Sequence, residues 1–255
     1  MSTHFGPILA GATAFLMLAS AATAQISTIA SEVIGGPSAG VITAGTEIEV
    51  ADLEAGEGVL NITVGGITLQ LKDFTVQGSP AATAPDINDF SVLAVEDTGT
   101  NFAGIRILVD GMDLAGAPGA ENSTLRYSVM VLDGAVNAAS LAFSPTPGFD
   151  ASGLDNEAVV SELIIETDLS GVTSLSVFAS DSEEQLSDSD TFDPITAFFV
   201  TKDFGIQAGS DESQVAITEI DELYGVVPEP STYALIFGGI ALALGLARRR
   251  FTQSA

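Results

Sequence analysis

Cysteine and tryptophan are both absent from this 255-residue chain, and its single histidine is His4. Without cysteine there is no disulfide, no thiol nucleophile and no thiolate metal site. Without a histidine beyond His4, the rest of the chain cannot build a Ser-His-Asp triad, a Cys-His dyad or an imidazole metal centre. Positive charge is scarce as well. Seven basic residues face 34 acidic ones, and three of the seven are the terminal cluster Arg248, Arg249 and Arg250. The other four are Lys72, Arg106, Arg126 and Lys202. So strong a negative balance excludes nucleic acid and anionic lipid surfaces as partners. A Ser-Lys dyad is the remaining use for a lysine, but Lys72 ends one apolar run and Lys202 follows another, where a solvated amine is expected.

Carboxylates are the one general acid–base resource left. Glycoside hydrolysis needs two of them, one with its pKa raised by burial, and 33 acids before Glu229 make some pair inevitable. Sugar binding ordinarily adds aromatic platforms. Here the only tyrosines ahead of the tail are Tyr127 and Tyr224, and Tyr127 alternates with Leu125 and Val129 as a half-buried sheet residue would. The densest acidic stretch runs from Asp181 to Asp193. Within it Asp188, Asp190 and Asp193 offer the hard oxygen ligands that Ca²⁺ takes, although neither the glycine nor the distal glutamate of an EF-hand loop is in place. The alternative for this stretch is a solvated acidic loop joining two strands. Apart from this calcium candidate, no cofactor is indicated.

The two ends of the chain are the most specific part of it. Val227-Pro228-Glu229-Pro230-Ser231-Thr232 passes into an apolar run from Tyr233 to Ala247, which stops on Arg248-Arg249-Arg250. As a helix, Ala234 to Ala247 would span about 21 Å, against a hydrocarbon core of roughly 30 Å. Tyr233 can sit at one interface while the arginines snorkel at the other. Arginines after an apolar run favour the cytoplasmic side, which leaves Pro228, Glu229 and Pro230 outside. The two prolines keep that motif extended and out of the helix. This three-part tail resembles the PEP-CTERM sorting signal, which implies recognition by an exosortase-type membrane peptidase during export and association with an exopolysaccharide layer. At the other end, Phe5 to Ala22 is small and apolar, and Ala22-Thr23-Ala24 forms an A-x-A cleavage pattern before Gln25. A secretory signal peptide removed by signal peptidase is expected there, with an uncleaved N-terminal anchor as the alternative.

The expected organisation is therefore a signal peptide over 1–24, a body over 25–226 and the sorting signal over 227–252. The body reads as strands. Val59-Leu60-Asn61-Ile62-Thr63-Val64, then Gly65-Gly66, then Ile67-Thr68-Leu69-Gln70-Leu71 alternates apolar and polar on both sides of a two-residue glycine loop. That pattern predicts a hairpin pairing Val64 with Ile67, Ile62 with Leu69 and Leu60 with Leu71 on one dry face. Comparable runs are Phe90 to Val95, Ile105 to Val109, Leu125 to Val131, Val159 to Ile165, Leu175 to Phe178, Phe198 to Thr201 and Val215 to Ile220. Ala135 to Ala142 fits a short helix or a strand equally. About ten strands separated by turn signals predict an all-β, antiparallel two-sheet sandwich, with Phe74, Phe90, Phe143, Phe178, Phe198 and Phe199 in its core. The final third, from Glu157 through Val200-Thr201-Lys202-Asp203-Phe204, resembles a body type that often precedes such a tail; the resemblance implies a β-sandwich of unassigned activity.

Three classes of function fit these readings. The first is an exported, exosortase-sorted surface or matrix protein with a non-catalytic body. The second is a glycan- or calcium-binding module. The third is a carboxylate-based glycoside hydrolase, which requires a buried carboxylate pair in a cleft.

Overall fold

The computed structural model describes residues 25–78, 84–115, 119–145, 156–167, 172–180, 182–209, 214–228, and residues 238, 240 and 241. Along the chain the strands are β1 (Ile26–Thr28), β2 (Ser31–Ile34), β3 (Gly40–Ile42), β4 (Ile48–Glu49), β5 (Val59–Val64), β6 (Ile67–Gly78), β7 (Phe90–Asp97), β8 (Phe102–Val109) and β9 (Asp113–Ala115). They continue as β10 (Gly119–Leu132), β11 (Gly134–Pro145), β12 (Glu157–Glu166), β13 (Val172–Ser180), β14 (Glu184–Gln185), β15 (Ser187–Ile195), β16 (Ala197–Ala208) and β17 (Gln214–Pro228).

Two antiparallel sheets form a sandwich. One runs β1-β7-β8-β17-β11-β15, with β4 attached to β7 and β9 to β17. The other runs β14-β13-β12-β16-β10-β6-β5-β2-β3. Residues alternate between core and solvent along the long strands, as the pleat requires. In β16 the inward set is Phe198, Val200, Lys202, Phe204 and Ile206, and in β12 it is Ala158, Val160, Glu162 and Ile164. Apolar members of both sheets share one hydrophobic core.

The glycine hairpin has the expected register, with Leu60 opposite Leu71, Ile62 opposite Leu69 and Val64 opposite Ile67. Gly65 and Gly66 both have positive φ, 60° and 84°, which a two-residue hairpin loop demands and glycine supplies without steric cost. Leu60, Ile62, Leu69 and Leu71 are buried. Leu69→Ala is therefore expected to cost roughly 2–5 kcal/mol in a denaturant titration, and a loss below about half a kcal/mol would contradict this core assignment.

Several readings need correction. The Ala135 to Ala142 run is a strand, part of β11. Phe74, Phe90, Phe143 and Phe198 are core, but Phe199 is 48% exposed, because neighbours in a strand point to opposite faces and Phe198 takes the inner one. Phe178 is half-buried. The acidic stretch is not a loop: Ser187 to Ile195 forms β15, an edge strand paired with β11. Its charged residues suit an edge, since they oppose pairing with a further chain.

The expected C-terminal membrane helix lies almost wholly outside the described residues. Gly238, Ile240 and Ala241 are helical, and no helix among the described residues is long and apolar enough to cross a membrane.

Candidate functional site

The most unusual feature of the sandwich is a charged centre inside its core. Glu162 on β12 and Lys202 on β16 are direct cross-strand partners, and both point between the sheets. Glu222 reaches them from β17 in the opposite sheet. The side chains of Glu162, Lys202 and Glu222 are all 0% exposed. Lys202 Nζ donates to Glu162 Oε2 and lies 2.8 Å from Glu222 Oε2. Glu222 also accepts from two phenols, Tyr127 through Oε2 and Tyr224 through Oε1. The two tyrosine hydroxyls are 3.0 Å apart.

Aromatic packing fixes this arrangement. The Tyr127 ring stacks on Phe74 with centroids 4.8 Å apart, and Tyr224 meets Phe198 edge-on at 5.2 Å. On the same face, Leu125 of β10 stands opposite Lys202, so the lysine stem is bracketed by an apolar and a carboxylate neighbour.

The electrostatics follow from burial. Desolvation raises the Glu162 pKa, and the charge of Glu222 and a hydrogen bond to it add to the effect. Lys202 opposes the shift only in part, and the value is pushed up to about 8. Burial disfavours the Lys202 ammonium too, but Glu162 and Glu222 outweigh it and raise its pKa. Burial, reinforced by Glu222, pushes both phenols well above their ordinary values. Burial thus holds Glu162 towards its neutral form, while the two carboxyl groups hold Lys202 towards its ammonium. Mutual pairing and hydrogen bonding are what let ionisable groups share a buried core.

This is the buried carboxylate pair that glycoside hydrolysis requires, and neither Glu162 nor Glu222 was singled out from the sequence. Lys202, expected as a solvated amine, is a core residue, and Tyr127 is buried rather than half-buried. Among the described residues no groove opens onto the pair, whose side chains are 0% exposed. Three surface grooves are bounded, in part, by Asn122, Glu157 and Gln207; by Glu47, Asn88 and Ser91; and by Glu166, Pro194 and Thr196. None of them is lined by Glu162, Lys202 or Glu222, and none presents an exposed aromatic ring.

The calcium candidate has a different arrangement. Asp188 accepts from the Ser176 N–H and the Ser189 N–H, both at 2.9 Å. Asp190 accepts from the Thr173 hydroxyl at 2.6 Å and the Thr191 N–H at 2.8 Å. Those bonds, the Thr173 hydroxyl first, hold Asp190 below the usual carboxylate range. All four oxygens of this pair have protein donors, and the Ser176 and Thr173 bonds tie β15 to β13 at the closing edge of the sandwich. Asp193 is exposed. Among the described residues no group of three or more His, Cys, Asp or Glu side chains is gathered to hold a metal ion.

Of the processing residues, Pro228 is the last residue of β17, paired with Gly134. Ala22, Ala24, Glu229, Pro230, Arg248, Arg249 and Arg250 lie outside the described residues.

No family model matches the chain, and no curated protein matches it. Among solved structures it is similar to TmCBM61 in complex with β-1,4-galactotriose, at 12% identity over 61% of this chain and 88% of that one, with a TM-score of 0.29. It is also similar to the xylan-binding module CBM15, at 15% identity over 65% and 95% of the two chains, TM-score 0.24. A third match is to a structure of carbohydrate-binding modules from the β-sandwich superfamily, at 10% identity over 80% and 86%, TM-score 0.19. At TM-scores this low the likeness carries no ligand over to this chain.

Proposed function

We propose that this chain is an exported protein, sorted by an exosortase-type membrane peptidase and displayed at the cell surface or in the extracellular matrix, with a non-catalytic β-sandwich body. The observation that carries the reading is the tail: Pro228-Glu229-Pro230, the apolar run and the arginine stop, in that order at the chain end. Signal peptidase acts first, after Ala24. The C-terminal helix then holds the intermediate in the inner membrane, and association with exopolysaccharide follows from the same resemblance. Among the described residues β17 is the last strand, and it ends at Pro228, the first residue of the motif.

The non-catalytic part rests on accessibility. A general acid must touch the group it protonates, and the side chains of Glu162 and Glu222 are sealed between two sheets. The glycan-binding alternative loses its tyrosine platforms, since Tyr127 and Tyr224 are both in the core.

The test spares the last strand. Replacing Glu229 and Pro230 with alanine while keeping Pro228 leaves β17 unchanged. This variant should accumulate in the inner membrane with Arg248 to Ala255 attached, as read by fractionation and peptide mapping. Processing and release at the wild-type level would overturn the sorting reading.

A further inference from the structure

We propose that Lys202 and Glu162 join through their side chains in an intramolecular amide, formed by the folded protein itself with Glu222 as the proton acceptor. The inference is independent of the sorting reading, because it rests only on the polar centre of the sandwich.

Three observations converge on it. The amine and the acid are held together by the sheet: Glu162 and Lys202 are cross-strand partners with side chains on the same inner face, and Nζ contacts Glu162 Oε2. Holding two reacting groups in contact replaces a bimolecular encounter and is worth several orders of magnitude in rate. A base is in place, since Glu222 Oε2 is 2.8 Å from Nζ. Tyr127 and Tyr224 act as positioning residues, donating to Glu222 and fixing its carboxylate beside the amine. Finally, the side chains of Glu162, Lys202 and Glu222 are fully buried, and exclusion of bulk water favours condensation over hydrolysis. Glu162 Oε1 is buried without a hydrogen-bond partner among the described residues. A buried carboxyl oxygen left unpartnered is costly in a purely structural role.

The chemistry balances without any co-reactant. The Lys202 ammonium gives one proton to Glu222. The free amine lone pair attacks Cδ of the neutral Glu162 carboxyl to give a tetrahedral adduct. The C–N bond is kept, one C–O bond breaks, and the departing hydroxyl leaves as water with the second amine proton. The products are a secondary amide, one water and a protonated Glu222. Nothing is oxidised or reduced, and the overall charge does not change. The neutral state of Glu162 near neutral pH suits the electrophile, because a carboxylate resists attack.

The amide would close the chain segment between Glu162 and Lys202, which contains β13, β14 and β15. That segment makes the closing edge of the sandwich, where Asp188 and Asp190 bind β13. In a chain without cysteine, it supplies the covalent brace that a disulfide would otherwise give.

Peptide mapping of the full-length chain decides the matter. Trypsin needs a free lysine side chain, so the expected result is no cleavage after Lys202. The peptide that begins at Tyr127 and runs through Lys202 should be lighter than its sequence by one water, with fragment ions placing the loss on a Glu162–Lys202 link. Lys202→Met and Glu162→Leu should each abolish the loss. Glu222→Gln, a shape-conserving change, should leave the peptide at full mass while circular dichroism reports an intact β fold. Normal cleavage after Lys202 at full mass in the folded wild type overturns the proposal. A link from Lys202 to Glu222 overturns the assignment of partner and base. A water loss that persists undiminished in Glu222→Gln overturns the role of Glu222.

Discussion

Lys202→Met is expected to destabilise the body by at least about 3–5 kcal/mol, the usual cost of removing one member of a buried charge group and stranding the rest. The methionine fills most of the lysine's volume, so the loss reports charge rather than a cavity. With the amide in place the cost is larger, because closing the 40-residue separation between Glu162 and Lys202 is worth about 4 kcal/mol in the chain-entropy picture. The stability of the variant should also depend on pH, with a defined sign. The folded-state pKa of Glu162 is about 8 against an ordinary 4.5, and removing the lysine deletes a contribution that lowers it. Between those values the folded variant holds a proton that the unfolded chain has released, so stability falls as pH rises, by up to about 1.4 kcal/mol per pH unit. The group is fully stabilised by its proton below the unfolded value and loses that contribution as pH rises through the folded one. Denaturant titrations of Lys202→Met with and without Glu162→Leu at pH 5 and pH 8 test this, since their difference removes the contribution of the surface acids. A second change, Glu222→Leu, should recover much of the loss. A penalty under about 1 kcal/mol at both pH values would mean that the centre is hydrated.

Phe74→Ala should be comparably damaging. Phe74 is fully buried, and truncating a core phenylalanine costs about 3–5 kcal/mol. It also removes the ring on which Tyr127 stacks, loosening the phenol that donates to Glu222. The chain has no tryptophan, so tyrosine fluorescence and near-ultraviolet circular dichroism report on this region against a low background. The expected result is a large drop in the unfolding midpoint with an altered tyrosine signal even in the folded state. A loss under about 1 kcal/mol would contradict the packing described for the centre.

Much of the sheet structure was legible where apolar and polar residues alternate. The Gly65-Gly66 hairpin could be read to the register, because two-residue loops leave one pairing and glycine marks them. The long strands β7, β8, β10, β12 and β16 announced themselves in the same way. The short edge strands did not, since two to four residues cannot display a period. Strand β15 was hidden for another reason: six of its nine residues are polar and no alternation runs through them, so little in its sequence separates an edge strand from a loop.

The charged centre was half legible. Glu162 has the same parity as Val160 and Ile164, and Lys202 the same parity as Phe198, Val200 and Phe204. Alternation alone therefore placed both on the inner face. The assumption that a lone charge seeks solvent hid this, and it fails when a partner of opposite sign shares the face. Glu222 gave no such sign, because Leu223 and Tyr224 are both buried and alternation is lost there. That Glu222 faces Lys202 from the opposite sheet is a property of the sheet packing, which no local pattern encodes. The reverse error befell Phe199, assigned to the core on composition although its neighbour Phe198 already occupied the inner face.

The proposed protein matures at both ends of its chain around a sealed, folded body. The most direct test is the intact mass of the protein recovered from the cell exterior. The predicted species begins at Gln25 and lacks Arg248 to Ala255. Exported material that still carries the arginine cluster would contradict it.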